Sequence, residues 1–139
     1  SRWCDVFRRA TSVGADELIM TRVLIVEDDP MWAGLLGQYC QKAGFSVVEA
    51  RSPQQAMDRI DEGVVDVILL DMLLVAETGM ALLNEMRGYT DLARLPVVVC
   101  TNNPVITQEV LKPFGVRALL DKSTMEPADV VVALRGALA

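Results

Sequence analysis

The sequence predicts an α/β fold: a doubly wound, five-stranded parallel sheet with helices on both faces. Three observations predict it. Short apolar runs rich in β-branched residues alternate with helical patterns from residue 22 onward. Those runs are apolar throughout rather than alternating, which marks strands covered on both faces. Cap and turn residues punctuate each change of pattern, as repeated βα units require.

The elements follow in order. Arg22 to Glu27 reads as the first strand. Asp29-Pro30 then supplies an N-cap followed by Pro at the first helical position. Met31, Trp32, Leu35, Leu36, Tyr39, Cys40 and Ala43 recur at helical spacing, and Gly44 stands where a left-handed cap belongs. Phe45 to Glu49 is the second strand. Ser52-Pro53 opens the second helix, with Ala56, Met57 and Ile60 on one face and Gly63 at its end. Val64 to Leu70 is the third strand, closed by Asp71. The third helix runs from about Thr78 to Arg87, ending near Gly88. Pro96 to Cys100 is the fourth strand. Asn103-Pro104 is expected to start the fourth helix, which ends by Pro113. Val116 to Leu120 is the fifth strand. The last helix is expected to begin between Ser123 and Pro127, with Ser123-x-x-Glu126 fitting a capping box.

Length and composition suit one domain. The chain has 139 residues, 52% of them apolar and 23% charged, enough to build a core and close to the globular norm. No linker, repeat or low-complexity stretch divides residues 22–139. Residues 1–21 stand apart, because Met20-Thr21-Arg22 followed by a strand resembles a chain start. They read as an N-terminal extension or remnant. Trp3 and Phe7 are interrupted by Asp5, Arg8 and Arg9, so this segment does not read as a signal peptide. No apolar run approaches the roughly 20 residues that span a bilayer, and a cytoplasmic location is the expectation.

Composition also excludes chemistry. The net charge is −6 and Arg8-Arg9 is the densest basic cluster, so direct nucleic acid binding is not expected. Three cysteines without CxxC spacing fit free thiols in a reducing compartment, with Cys40 and Cys100 in the core. The histidine count is zero. That removes Ser-His-Asp and Cys-His catalysis, His-ligated metals and any phosphohistidine on this chain.

In an open α/β sheet, ligands bind beyond the carboxyl ends of the strands. Glu27 and Asp28 close the first strand, Asp71 the third and Thr101 the fourth, and Lys122 lies near the end of the fifth. Each alone is an ordinary strand-end polar residue. Together they place three carboxylates, a hydroxyl and an amine at one edge. Two carboxylates about 4 Å apart repel by about 4 kcal/mol at an effective dielectric of about 20, so three call for a cation. Oxygen ligands without His or Cys select Mg2+ or a similar hard ion. Mg2+ held by few carboxylates also takes phosphate oxygens, which outlines a phosphoryl-transfer site.

These residues carry a family resemblance. V-L-I-V-E-D-D-P (23–30), V-I-L-L-D-M-L-L (67–74) with Gly79 eight residues after Asp71, P-V-V-V-C-T (96–101) and L-L-D-K (119–122) resemble the response-regulator receiver domain of two-component signalling. The resemblance covers residues 22–139 and implies the flavodoxin-like strand order 2-1-3-4-5. It implies that Asp71 is the phosphoacceptor. Asp28 would bind Mg2+ directly and Glu27 through water, while Leu73 would offer its backbone carbonyl. Thr101 would hydrogen-bond the phosphoryl group. Lys122 would pair with Asp71 before transfer and with the phosphoryl oxygens after it. Asp29 reads as the helix cap and stays outside the site. The implied donor is a sensor histidine kinase or a phosphotransfer protein, and a downstream effector protein reads the result. Such a domain catalyses only its own modification and is not a turnover enzyme. A homodimer through the last helix faces is left open, as is whether the chain stands alone or belongs to something longer.

Three positions depart from the family pattern. Val75 stands where Pro often follows the acceptor by four, which bears on loop stiffness. Ser123 follows Lys122 where receivers usually carry Pro in a cis peptide. A non-Pro cis bond costs about 3 kcal/mol, so either the peptide is trans and Lys122 is aimed differently, or a rare cis bond persists. Leu119 replaces the usual aromatic three before the lysine, which puts the usual readout in doubt. The alternative is therefore a receiver-like interaction module not regulated by phosphorylation. A dehalogenase-type phosphatase would need a second acid at the position of Leu73. A flavodoxin would need a Ser/Thr/Gly-rich phosphate loop where E-D-D-P stands.

Overall fold

The structure, a computed structural model, describes residues 20–71 and 76–139, with backbone alone for 76–79. Five strands, β1 (Arg22–Val26), β2 (Ser46–Ala50), β3 (Val67–Asp71), β4 (Val97–Thr101) and β5 (Ala118–Asp121), alternate with five helices. These are α1 (Pro30–Lys42), α2 (Pro53–Asp61), α3 (Ala76–Arg87), α4 (Gln108–Leu111) and α5 (Pro127–Leu138). All neighbouring strands pair in parallel, in the order β2-β1-β3-β4-β5.

Burial explains that order. β3 and β4 are buried at every residue and β1 at all but its first, because helices cover both faces. The edge strands β2 and β5 are only part-buried, and they carry Glu49 and Asp121. Along each central strand, alternate side chains feed two cores. Leu24, Val26, Ile68, Leu70, Val97 and Val99 pack with residues of α2, α3 and α4. Val23, Ile25, Val67, Leu69, Val98 and Cys100 pack with α1 and α5. Each fully buried Leu or Ile contributes roughly 1.5–3 kcal/mol.

Local signals set most helix ends. Asp29 caps α1 by accepting a hydrogen bond from the Met31 amide at 2.9 Å. Ser52 caps α2 by accepting from Gln55 at 3.1 Å. Gly44 (φ 94°) and Gly63 (φ 78°) take the left-handed conformation that turns the chain toward the next strand.

The third helix starts two residues before the expected Thr78, the fourth starts later than expected, and the last begins at Pro127, inside the expected interval, but with a different cap. Asn103-Pro104 does not open α4. The Asn103 side chain accepts from the Val105 amide at 3.0 Å and its carbonyl from the Ile106 amide at 3.1 Å, closing a local turn. The helix waits for Thr107, which caps it through the Val110 amide at 3.3 Å. It is a single turn, continued by a 3-10 turn over Lys112–Phe114. Ser123 likewise does not begin α5. Its amide and hydroxyl both bind Asp121 Oδ1, at 2.9 and 2.6 Å. The capping box of α5 is formed by Glu126 and Asp129 instead. A 3-10 turn at Leu92–Arg94 was not expected, and strand boundaries shift by one to three residues.

Candidate functional site

The strand order reverses direction between β1 and β3, where the first crossover leads one way and the second the other. Such a switch point opens a crevice at the carboxyl ends of the strands. Glu27 follows β1 directly, and Asp71 ends β3 beside it, since Val26 pairs with Leu70. On the other side Asp71 lies in register with Cys100, and Thr101 with Asp121. Lys122 follows Asp121, its amide held by the Thr101 carbonyl at 3.0 Å. The sheet thus brings residues separated by up to 95 positions to one edge.

Four polar side chains are buried there: Glu27, Asp71, Thr101 and Lys122. The Lys122 ammonium is shared between two carboxylates. It donates to Glu27 Oε1 at 3.2 Å and to Asp71 Oδ2. Buried charges persist only when paired in this way. The other Glu27 oxygen accepts from the Asp29 amide at 3.1 Å, tying the acid to the start of α1. Thr101 Oγ1 accepts from the Asn103 amide at 3.0 Å. Asp28 is exposed at the rim.

The Lys122–Ser123 peptide is trans, because the described residues contain no cis peptide. Lys122 nevertheless reaches Asp71, so the trans bond does not aim it away from the acceptor position. Hydrogen bonds to Asp121 organise the turn after it, and the Thr124 and Met125 amides donate to the Asp121 carbonyl at 3.1 and 2.8 Å.

Two of the acids hold their protons more tightly than usual. Burial, followed by the hydrogen bond and charge of Asp71, raises the Glu27 pKa above the ordinary glutamate value. The hydrogen bond with Glu27 leads the causes that raise Asp28. A hard cation would relieve both. Among the described residues no three acidic or thiol side chains form a ready metal cage. Mg2+ does not require one, since it keeps waters and binds through one or two carboxylates. An all-oxygen set of Glu27, Asp28 and Asp71 fits that ion chemically.

One participant escaped the sequence reading. Trp32, assigned only to the apolar face of α1, lays its ring 3.9 Å from Lys122 Nζ. Its proximity in sequence to the acidic pair was the available signal. Leu73 and Val75 lie outside the described residues, as do residues 1–19. Leu119 is part-buried against the core, and it shares with Thr101 an open groove of about 420 Å³.

A model of the response regulator receiver domain matches residues 23–135. This chain belongs to the response regulator receiver family. The receiver is 30% identical over 112 residues to the transcriptional regulatory protein CpxR of Escherichia coli K12, covering 73% of this chain and 47% of CpxR. It is 30% identical over 90 residues to a cyclic di-GMP phosphodiesterase of Thermotoga maritima, covering 65% of this chain and 24% of that protein. The receiver thus spans less than half of either relative. The chemotaxis response regulator CheY4 of Vibrio cholerae matches with a TM-score of 0.73 at 22% identity, covering 86% of this chain and 99% of that one. That likeness establishes the fold, the five-stranded parallel receiver fold. Among the described residues no helix is long and apolar enough to cross a membrane.

Proposed function

We propose that this receiver accepts a phosphoryl group on Asp71, with Mg2+, and thereby switches its interactions with a partner. One observation carries the reading: the buried Lys122 ammonium is held jointly by Asp71 and Glu27 at the carboxyl edge of the sheet. A permanently buried ion pair is a poor source of stability, but a cation beside an acidic nucleophile suits phosphoryl transfer.

In this reading an Asp71 oxygen forms a bond to phosphorus as the bond to the donor's phosphohistidine nitrogen breaks. The product is an acyl phosphate, which water later hydrolyses. Lys122 exchanges Asp71 for the phosphoryl oxygens as negative charge moves outward. Thr101 donates its hydroxyl to the phosphoryl group. Glu27, Asp28, Asp71 and the Leu73 carbonyl are the proposed metal ligands, and bound Mg2+ would neutralise charge on the transferring oxygens.

The donor is proposed to be a sensor histidine kinase or phosphotransfer protein in the cytoplasm, and the reader a downstream effector. Residues 22–139 are proposed to act as one unit, with residues 1–21 an extension to it. The chain modifies itself and does not turn over a substrate. A receiver-like module without phosphate control remains the second reading, favoured by Leu119 beside Thr101.

Acetyl phosphate and Mg2+ test the proposal. Intact-protein mass should show one labile phosphoryl group on the parent and none on Asp71→Asn. Parent protein that stays unmodified, and that gives no Mg2+-dependent fluorescence change with beryllofluoride, sinks the proposal in favour of the second reading.

A further inference from the structure

We infer that Trp32 is a positioning residue for Lys122, its indole face holding the ammonium over the phosphoacceptor. This rests on the proposed function of Asp71 and adds to it a residue from a different element.

The geometry carries the inference. Lys122 Nζ stands 3.9 Å from the Trp32 ring centroid, well inside the range at which a cation is attracted to the negative face of an indole. The lysine side chain is 1% exposed, so water does not screen the contact. An ammonium has three donors. Glu27 and Asp71 take hydrogen bonds from it, and the indole lies against the same nitrogen. Glu27, Asp71 and the Trp32 ring thus bear on one ammonium.

Trp32 is tied to the site through the start of its own helix. Glu27 accepts from the Asp29 amide, Asp29 caps α1, and Trp32 lies in the first turn of that helix. One short segment thus supplies both a carboxylate and the ring that face Lys122. The backbone before Lys122 is anchored to Thr101, and the turn after it to Asp121. The side chain beyond those anchors is flexible, with four rotatable carbons. Two carboxylates alone allow the ammonium to follow either one. An aromatic face on a third side restricts it to the shared position. When Asp71 becomes phosphorylated, the ring would keep the ammonium near the phosphoryl oxygens as its partner changes.

The test uses Trp32→Phe, Trp32→Tyr and Trp32→Leu in the full chain. Leu fills apolar space without a π face, whereas Phe and Tyr keep a weaker one. Thermal melts establish that each variant is folded. The expected result is phosphorylation by acetyl phosphate and Mg2+ slowed roughly tenfold in Trp32→Leu, with Trp32→Tyr and Trp32→Phe recovering much of the rate. A purely structural role would order the variants by stability, not by aromatic character. A second measurement does not depend on phosphorylation or on the variants' rates. In the unphosphorylated parent the Lys122 side-chain protons should be shifted upfield by the indole ring current in NMR spectra. Absence of that shift overturns the inference. Equal rates in Trp32→Leu, Trp32→Phe and parent overturn the positioning role while leaving Asp71 phosphorylation intact. A parent that is never phosphorylated overturns the functional reading and the positioning role with it.

Discussion

Lys122 donates to Glu27 across 3.2 Å while also bonding Asp71, so one buried ammonium balances two buried acids. Removing it should be costly out of proportion to its size. Lys122→Met leaves the carboxylates facing each other without a counter-charge, a loss of about 3 kcal/mol or more. The melting temperature should fall by roughly 10 °C. Adding Asp71→Asn to Lys122→Met should restore part of the loss, because one of the stranded charges disappears. A double-mutant cycle by urea denaturation measures this; additive losses would contradict the shared pairing.

The acidic cluster predicts a specific dependence of metal binding on pH. The folded state raises the proton affinity of Glu27, chiefly through burial, and of Asp28, chiefly through its hydrogen bond to Glu27. A raised carboxylate favours the fold below its ordinary value, and that contribution is lost as pH rises through the folded value. At neutral pH the cluster is thus a burden that bound Mg2+ would offset. Mg2+ should raise the melting temperature at pH 7.5, and the gain should shrink as pH falls toward the carboxylate range. Calorimetry should find protons released on binding at mildly acidic pH. A Mg2+ effect that grew on acidification would exclude these ligands.

Asp29 separates capping from chemistry. Its side chain caps α1 while its amide supports Glu27. Asp29→Ala should cost about 1 kcal/mol of stability, and Asp29→Ser should recover most of it. Both variants should bind Mg2+ nearly as the parent does, since the backbone amide remains. A large loss of Mg2+ affinity in Asp29→Ser would place this carboxylate in the site after all.

The buried thiols predict alkaline sensitivity. Burial pushes the Cys40 thiol from 9.0 up to about 12, and Cys100 upward as well. The unfolded chain therefore loses these protons first. The stability they contribute is present below pH 9 and declines as pH rises toward 12. Cys40→Ala should show a shallower alkaline decline than the parent in melting temperature. Iodoacetamide at pH 8 should leave Cys40 and Cys100 unmodified until denaturant is added.

Much of this molecule is legible without coordinates. The apolar runs of β1, β3 and β4, the caps at Asp29 and Ser52, and the turns at Gly44 and Gly63 all act over a few residues, so local patterns report them. The acidic strand ends Glu27, Asp28 and Asp71 were legible for the same reason, given that ligands gather at the carboxyl edge of such a sheet. The caps expected at Asn103 and Ser123 show where local patterns are ambiguous. Asn103 and Ser123 each have a side chain that can cap a helix or close a turn. Asn103 closes a turn on Val105 and Ser123 binds back to Asp121, and no pattern within a few residues distinguishes these outcomes.

The sequence by itself determined the strands, the burial of the central three and the identity of the polar groups at their ends; the part-burial of the edge strands β2 and β5 was not expected. Tertiary structure decided how those groups meet. Lys122 joins Glu27 over 95 residues and Asp71 over 51, and the Trp32 ring, in the first turn of α1, comes against the same ammonium. The reason is physical. Hydrophobic pattern and capping are short-range and leave their period in the chain, whereas the approach of a ring to a buried cation depends on the packing of distant elements and leaves none.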